Sequence, residues 1–197
     1  LLYIEKDLCA KFQNELGGSF KTVNSNLDVK ILSKNDFQRE LQDLSKNFGL
    51  KKSLPGSTKM VLRAEPLVTH PSHQLIELLK SKSAELDRPL RILCLDQVSD
   101  VGNAGGIFRT AAFYNVDICV VPQKGSFSLT TSFYKLSCGG REHLELAQTS
   151  NLSKTLRTLE KFGYFCVGLS EHTQEEGTQL ATVPEDMKSA PGVCLVM

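Results

Sequence analysis

No stretch of this chain approaches 18 consecutive apolar residues, so no segment reads as a membrane-spanning helix. An excess of one charge is lacking too. Lys plus Arg (23) nearly cancels Asp plus Glu (22), and bulk charge does not announce a nucleic-acid binder. Six cysteines (Cys9, Cys94, Cys119, Cys138, Cys166, Cys194) contain no CxxC or CxxH pair, and four histidines (His70, His73, His143, His172) stand at no ligand spacing. Neither a zinc site nor a disulfide framework is indicated, and no metal cofactor is expected. The scatter of thiols fits a reducing compartment, read as the cytoplasm. An organelle stays open, because any targeting segment would precede Leu1.

What is present has the balance of an ordinary globular protein: 197 residues, 41% apolar and 23% charged. Residues 1–66 carry 11 basic and 8 acidic side chains, whereas residues 67–197 carry 12 and 14. Lys46, Lys51, Lys52 and Lys59 supply most of the first surplus. They read either as a solvated loop or as RNA phosphate contacts, with Lys51 and Lys52 at the centre. The chain opens on Leu1 inside one strand pattern and stops at Met197 inside another, so further protein is expected to follow.

Three segments are expected: a small α/β module over 1–66, a linker and helix over 67–88, and an α/β domain over 89–197. In the first, Phe37, Leu41, Leu44 and Phe48 mark a helix capped by Ser33 or Asn35, between strands Val29–Leu32 and Met60–Leu62. Glu5, Asp7 and Glu65 read there as isolated surface acids. A polar linker (Thr69–His73) then leads to a helix faced by Leu75, Ile76, Leu78 and Leu79. Beyond it, strand candidates Leu90–Leu95, Ile118–Val121, Leu144–Ala147, Phe165–Leu169 and Val193–Met197 alternate with helical patterns at Asn103–Tyr114, Leu129–Cys138 and Asn151–Phe162. Continuous apolar strands separated by helices predict a doubly wound parallel sheet covered on both faces.

Ligands of such sheets bind beyond the carboxyl ends of the strands. The first such end reads Leu95-Asp96-Gln97-Val98-Ser99-Asp100-Val101-Gly102-Asn103-Ala104-Gly105-Gly106-Ile107-Phe108-Arg109-Thr110. Glycines cost a helix start about 1 kcal/mol each, which points to close backbone approach at Gly102, Gly105 and Gly106. Arg109 follows Gly106 by three residues and Gly105 by four, so its guanidinium is expected over bare backbone near the helix end, poised for a phosphate. A tight turn with Arg109 in water is the plainer alternative. Dinucleotide, P-loop and nucleophile-elbow readings all fail on spacing. Glu142 and His143 read as surface positions flanking the third strand.

The run Leu95-Asp96-Gln97-Val98-Ser99-Asp100-x-x-Asn103-x-Gly105-x-x-x-Arg109-Thr110-Ala111 resembles the first signature of the SpoU branch of the SPOUT RNA methyltransferases, N-x-G-x-[IL]-x-R. Tyr134-Lys135-Leu136-Ser137-Cys138-Gly139-Gly140-Arg141-Glu142-His143-Leu144 is similar to that family's K-x-[SA]-[CA]-G-A-x-E segment, with Gly140 in place of alanine. Gly192–Met197 resembles the strand leading into its second signature, G-x-E-G-x-G.

The resemblance implies an α/β-knot fold whose knot-forming end is absent from this chain, preceded by a small α/β substrate-binding domain. It implies methyl transfer from S-adenosylmethionine to a ribose 2′-hydroxyl of structured RNA by a homodimer, with ribosomal RNA preferred to transfer RNA. By the same carry-over, Arg109 and Asn103 are catalytic. Gly168, Leu169, Ser170, Val196 and Met197 would touch the cofactor; Gly105, Gly106, Arg109, Lys51 and Lys52 would touch RNA. A catalytically silent RNA-binding relative, a transfer-RNA enzyme and a nicotinamide-dependent reductase are the alternatives. With the later signatures missing, this chain is expected to bind the cofactor weakly or not at all.

Overall fold

Tyr3 and Ile4 are buried at the centre of a small sheet, so β1 (Leu2–Glu5) runs between β2 (Val29–Leu32), parallel to it, and β3 (Met60–Leu62), antiparallel. The computed structural model describes residues 2–5, 7–9, 28–47, 58–63, 65, 67–169 and 184–197. The chain divides into two units, Leu1–Pro66 and Leu67–Met197. In the first, α1 (Lys34–Asn47) lays Phe37, Leu41 and Leu44 against Tyr3, with Leu32 and Val61 alongside. Ser33 closes its amino end, accepting from the Asp36 N–H at 3.3 Å and donating to its carboxylate at 2.6 Å. Glu5 is not a surface acid: it is buried, with Lys59 3.8 Å away. Lys51, Lys52 and Phe48 lie outside the described residues.

The second unit opens with β4 (Thr69–Pro71), where a linker was expected. The polar residues and Pro71 hid it. A short edge strand needs only one pairing partner and tolerates proline, and β4 pairs with β7 alone. There follow α2 (Leu75–Glu85), β5 (Leu90–Cys94), α3 (Val101–Phe113), β6 (Ile118–Pro122), α4 (Thr131–Ser137), β7 (Glu145–Thr149), α5 (Leu152–Lys161), β8 (Phe165–Gly168), α6 (Glu185–Ser189) and β9 (Gly192–Val196). The sheet order is β4-β7-β6-β5-β9-β8, and every neighbouring pair is parallel.

Strand residues alternate between two cores. Ile92, Cys94, Ile118, Val120, Ala147 and Cys194 meet α2 and α5 through Leu75, Leu79 and Leu159 on one side. Leu93, Leu95, Cys119, Val121 and Leu146 meet α3 through Ala104, Phe108 and Ala111 on the other. Each fully buried aliphatic or aromatic side chain contributes about 1.5–3 kcal/mol. Cys94, Cys119 and Cys194 act here as small hydrophobes: all six cysteines are free, and the Cys94 and Cys194 sulfurs lie 3.3 Å apart. At the amino ends of the strands, Asp117 takes both Arg88 Nη atoms at 2.7 and 2.9 Å and the Arg91 N–H at 2.8 Å, fixing the starts of β5 and β6 together. No helix among the described residues is long and apolar enough to cross a membrane.

Candidate functional site

The chain leaves β5 at Gln97, which takes the left-handed conformation (φ 55°). The sharp turn is thus made by a non-glycine residue, a strained choice typical of functional loops. The Phe127 N–H donates to the Val98 carbonyl at 3.0 Å and ties this loop to the one after β6. Asp100 caps α3, its carboxylate accepting from the Asn103 N–H at 2.7 Å and its carbonyl from the Ala104 N–H at 3.0 Å.

These contacts correct two expectations about Arg109. The helix starts at Val101 because Asp100 caps it, so Gly102, Gly105 and Gly106 lie inside the helix, not in a turn. Arg109 therefore sits about 12 Å along the helix, more than two turns from an amino end that a carboxylate already occupies. Gly105, expected to face RNA, is buried against α4: a Cβ there would stand 2.6 Å from Leu136 Cβ and 3.2 Å from Ser137 N. Its missing side chain serves helix packing. Gly106 differs, with nothing within 4 Å of the Cβ position, and it leaves open surface one turn before Arg109.

The segment from α4 to β7 presses on α3 at a second point. After α4 the backbone passes through left-handed Cys138 (φ 48°) and Gly139 (φ 85°) into a 3-10 turn, Gly140–His143. A Cβ on Gly140 would meet Phe108 O at 2.6 Å and Arg109 N at 2.9 Å, so glycine lets this turn touch the backbone of α3 at Arg109 itself. Phe127 and Phe133 stack at 4.8 Å and each meets Phe108 edge-to-face, at 5.5 and 5.1 Å. Glu142 and His143 lie in this turn, both exposed, not along a strand.

Arg141, missed from sequence, is 2% exposed. It donates to the Leu144 carbonyl at 2.8 Å and the Val68 carbonyl at 2.6 Å, while its Nε has no partner. Burial draws its pKa below the usual arginine range.

Two segments some thirty residues apart in sequence thus form one unit around Arg109. That guanidinium is exposed and makes no ion pair or side-chain hydrogen bond among the described residues. Residues 90–197, just over half of the chain, match the SpoU rRNA Methylase family. The chain belongs to that family. RlmB, a 23S rRNA (guanosine-2'-O-)-methyltransferase of Shewanella oneidensis, is 38% identical over 96 residues, covering 49% of this chain and 37% of the relative. RlmB of Haemophilus ducreyi is 39% identical over 88 residues, covering 45% and 34%. The matches span from 30% to 41% of the length of the curated relatives. The crystal structure of the SpoU methyltransferase AviRb from Streptomyces viridochromogenes in complex with AdoMet has the same fold. That likeness has a TM-score of 0.51 at 15% identity, covering 100% of this chain and 64% of that chain.

Within the SpoU segment a second group of residues gathers at the carboxyl ends of β9 and β8. The Leu169 N–H donates to the Val196 carbonyl at 2.9 Å, Met197 N–H to the Cys94 carbonyl at 2.9 Å, and Asp96 N–H to the Met197 carbonyl at 2.8 Å. Gly168, Leu169, Val196 and Met197 are therefore brought together beside the loop that starts α3. Leu169 (59% exposed) and Met197 (42%) offer apolar surface, and no atom lies within 4 Å of the Gly168 Cβ position. β8 is the edge of the described sheet, and Leu169 N–H points into it, so by alternation the Gly168 N–H and C=O point outward. Apolar contact plus two outward-facing backbone groups, unpaired among the described residues, suits a heteroaromatic ring. Ser170 lies outside the described residues. Asn103 is exposed two turns from Arg109, its N–H committed to Asp100.

Proposed function

We propose that this chain takes part in transfer of a methyl group from S-adenosylmethionine to a ribose 2′-hydroxyl of structured RNA. The observation that carries the reading is the junction of the two SpoU-like segments at Arg109, a guanidinium without an ion pair among the described residues, on a helix whose depth is set by contacts at Gly105 and Gly140. S-adenosylmethionine, when bound, supplies an electrophilic methyl group. Its adenine would be held by Gly168, Leu169, Val196 and Met197, whose apolar surface and outward-facing backbone groups fit such a ring.

An arginine pKa above about 12 makes Arg109 a poor base at neutral pH. Its five-donor fork serves better to clamp the phosphate beside the target ribose. Arg109 would thereby orient the hydroxyl, and its proton would pass to a phosphate oxygen. Positioning of this kind supplies several kcal/mol of a barrier. Gly106 leaves room for a sugar to approach, and Asn103 steadies the start of α3.

Ribosomal RNA is the favoured substrate, supported by the relatives whose names specify 23S rRNA. A homodimer is part of the reading. Phe113 (80% exposed) and Tyr114 (63%) form an edge-to-face pair on α3 with centroids 5.2 Å apart, an apolar patch of the kind copies bury against each other. The cytoplasm is the compartment proposed, in keeping with six free cysteines.

The test is methyl incorporation from labelled S-adenosylmethionine into ribosomal RNA, with nucleoside analysis for 2′-O-methylation. Arg109→Lys is expected to lower kcat/KM at least tenfold, about 1.4 kcal/mol, because a point charge cannot reproduce the fork. Near-full turnover by this variant refutes the clamp. Binding of both RNA and S-adenosylmethionine without any 2′-O-methyl product selects the silent relative.

A further inference from the structure

Helix α5 carries charge in a way that its own stability does not explain. It is capped by Asn151, whose side chain accepts from the Lys154 N–H at 2.8 Å, and its first turn contains no acid. Lys154 stands in that turn, where the helix dipole disfavours a cation. Arg157 follows three residues on and Lys161 four further, so like charges are neighbours twice within ten residues. All three side chains are exposed, and none makes an ion pair among the described residues. Three other cations of this unit are matched, Lys82 with Glu85 and Glu145, Arg88 with Asp117 and Lys188 with Glu185, whereas Arg109 makes no ion pair among the described residues either; what sets α5 apart is three such cations in one row.

The stripe is also well aimed. At about 100° per residue, Lys154, Arg157 and Lys161 fall on one side of α5. Thr155 and Leu159, buried against the sheet, fall on the other. The helix's acid, Glu160, follows Arg157 by three residues and flanks the stripe about 60° round the helix, without an ion pair to it among the described residues. The stripe is about 10 Å long. Its upper end reaches the rim formed by the strands' carboxyl ends, where Lys154, Ser72, His73, Ser150 and Asn151 border a cleft of about 280 Å³. Only β6 separates β7 from β5, so the rim at which α5 begins lies about 10 Å along the sheet from the strand that leads into α3, with α5 and α3 on opposite faces of the sheet.

We propose that Lys154, Arg157 and Lys161 form a sequence-independent anchor for the phosphate backbone of RNA flanking the target nucleotide. The proposal rests on the RNA-methyltransferase reading and adds a surface outside that site. An exposed row of uncompensated cations matches a row of phosphates, whose counterions are released on contact.

The test measures binding of a fluorescently labelled ribosomal RNA hairpin to the chain by anisotropy, between about 50 and 200 mM salt. Each lost phosphate contact lowers the slope of log K against log salt by about 0.7–0.9, so the triple variant Lys154→Gln, Arg157→Gln, Lys161→Gln is expected to lose about 2. If the triple variant does not fold, Lys154→Gln and Lys161→Gln singly are expected to lose about 0.7–0.9 each. Lys154→Glu separates recognition from structure: it is expected to raise the melting temperature while weakening RNA binding.

Three outcomes overturn the proposal. A wild-type slope retained by the variants removes the anchor and leaves the reading of Arg109 standing. Equal competition by polyglutamate reassigns the stripe to an acidic protein. Failure of the wild-type chain to bind RNA removes the anchor and the reading together.

Discussion

Adding one methyl group at Gly140 tests whether the second SpoU-like segment sets the position of Arg109. The Cβ of Gly140→Ala would stand 2.6 Å from Phe108 O, 2.8 Å from Phe108 C and 2.9 Å from Arg109 N, all backbone atoms of α3 that cannot rotate away. Reaching ordinary contact needs a separation of roughly 0.5–1 Å between turn and helix. Overpacking of this kind costs about 1–3 kcal/mol, and the stiffer unfolded chain returns about 0.4–1 kcal/mol. The net loss is about 1–2 kcal/mol, a fall of roughly 4–8 °C in melting temperature for a unit of this size.

Gly106→Ala is the matched control. Its Cβ meets nothing within 4 Å, and alanine favours a helix by about 0.8–1 kcal/mol, so the melting temperature should rise. Scanning calorimetry of both variants gives opposite signs if the reasoning holds. Because Arg109 N is among the atoms pushed, Gly140→Ala should also lower methyl transfer more than it lowers S-adenosylmethionine affinity. A Gly140→Ala protein as stable as wild type would show that the turn and α3 part freely, and the positioning argument would fail. The outcome has added interest because alanine stands at this position in the resembled segment.

Asp100→Ala removes the acceptor of the Asn103 N–H and should cost about 1 kcal/mol, read as a lower denaturation midpoint with an unchanged slope. Asn151→Ala at the start of α5 should cost a similar amount, read as a lower melting temperature. Stability should fall as pH rises above about 9. Burial first, and then its neighbours Cys194 and Glu160, push the Cys166 thiol up to about 12 from 9.0, and Cys119 and Cys194 are raised as well. The folded state then keeps protons that the unfolded chain has lost, so the stability present below pH 9 declines toward pH 12. Cys166→Ala should flatten that decline in urea midpoints taken at increasing pH. Arg109→Ala should leave the unfolding free energy within about 0.5 kcal/mol of wild type in urea titration, since its side chain is exposed and makes no ion pair among the described residues.

Much of this was legible in the residues themselves. Strands β5, β6 and β8 lie where continuous apolar runs predicted them, and Asn151, one of two proposed caps, does cap α5. Other features depend on spatial neighbours. β4 escaped notice because His70 and Pro71 carry no strand pattern and become strand only through β7. Of the glycines expected to allow close backbone approach, Gly105 does so and Gly106 does not, and sequence could not tell them apart. Gly105 meets α4, Gly106 meets open space, and Gly140 meets α3. Arg141 went unnoticed because a buried guanidinium held by two backbone carbonyls has no sequence signature. Glu142 and His143 do flank β7 at the surface, but the turn that holds them is set by the left-handed pair Cys138 and Gly139, which carries no strand or helix pattern.

The place of β9 between β5 and β8 governs how the second unit folds. Cys94 and Cys194, side by side in that pairing, are a hundred residues apart in the chain. β5, β6 and β7 can associate as soon as they exist, but β5 then presents a bare apolar edge until Gly192–Val196 arrives to cover it. Such long-range closure slows folding and exposes a template for wrong pairing in the interval. On the ribosome this edge would emerge well before its partner, making nascent β5 the natural place for a chaperone to act.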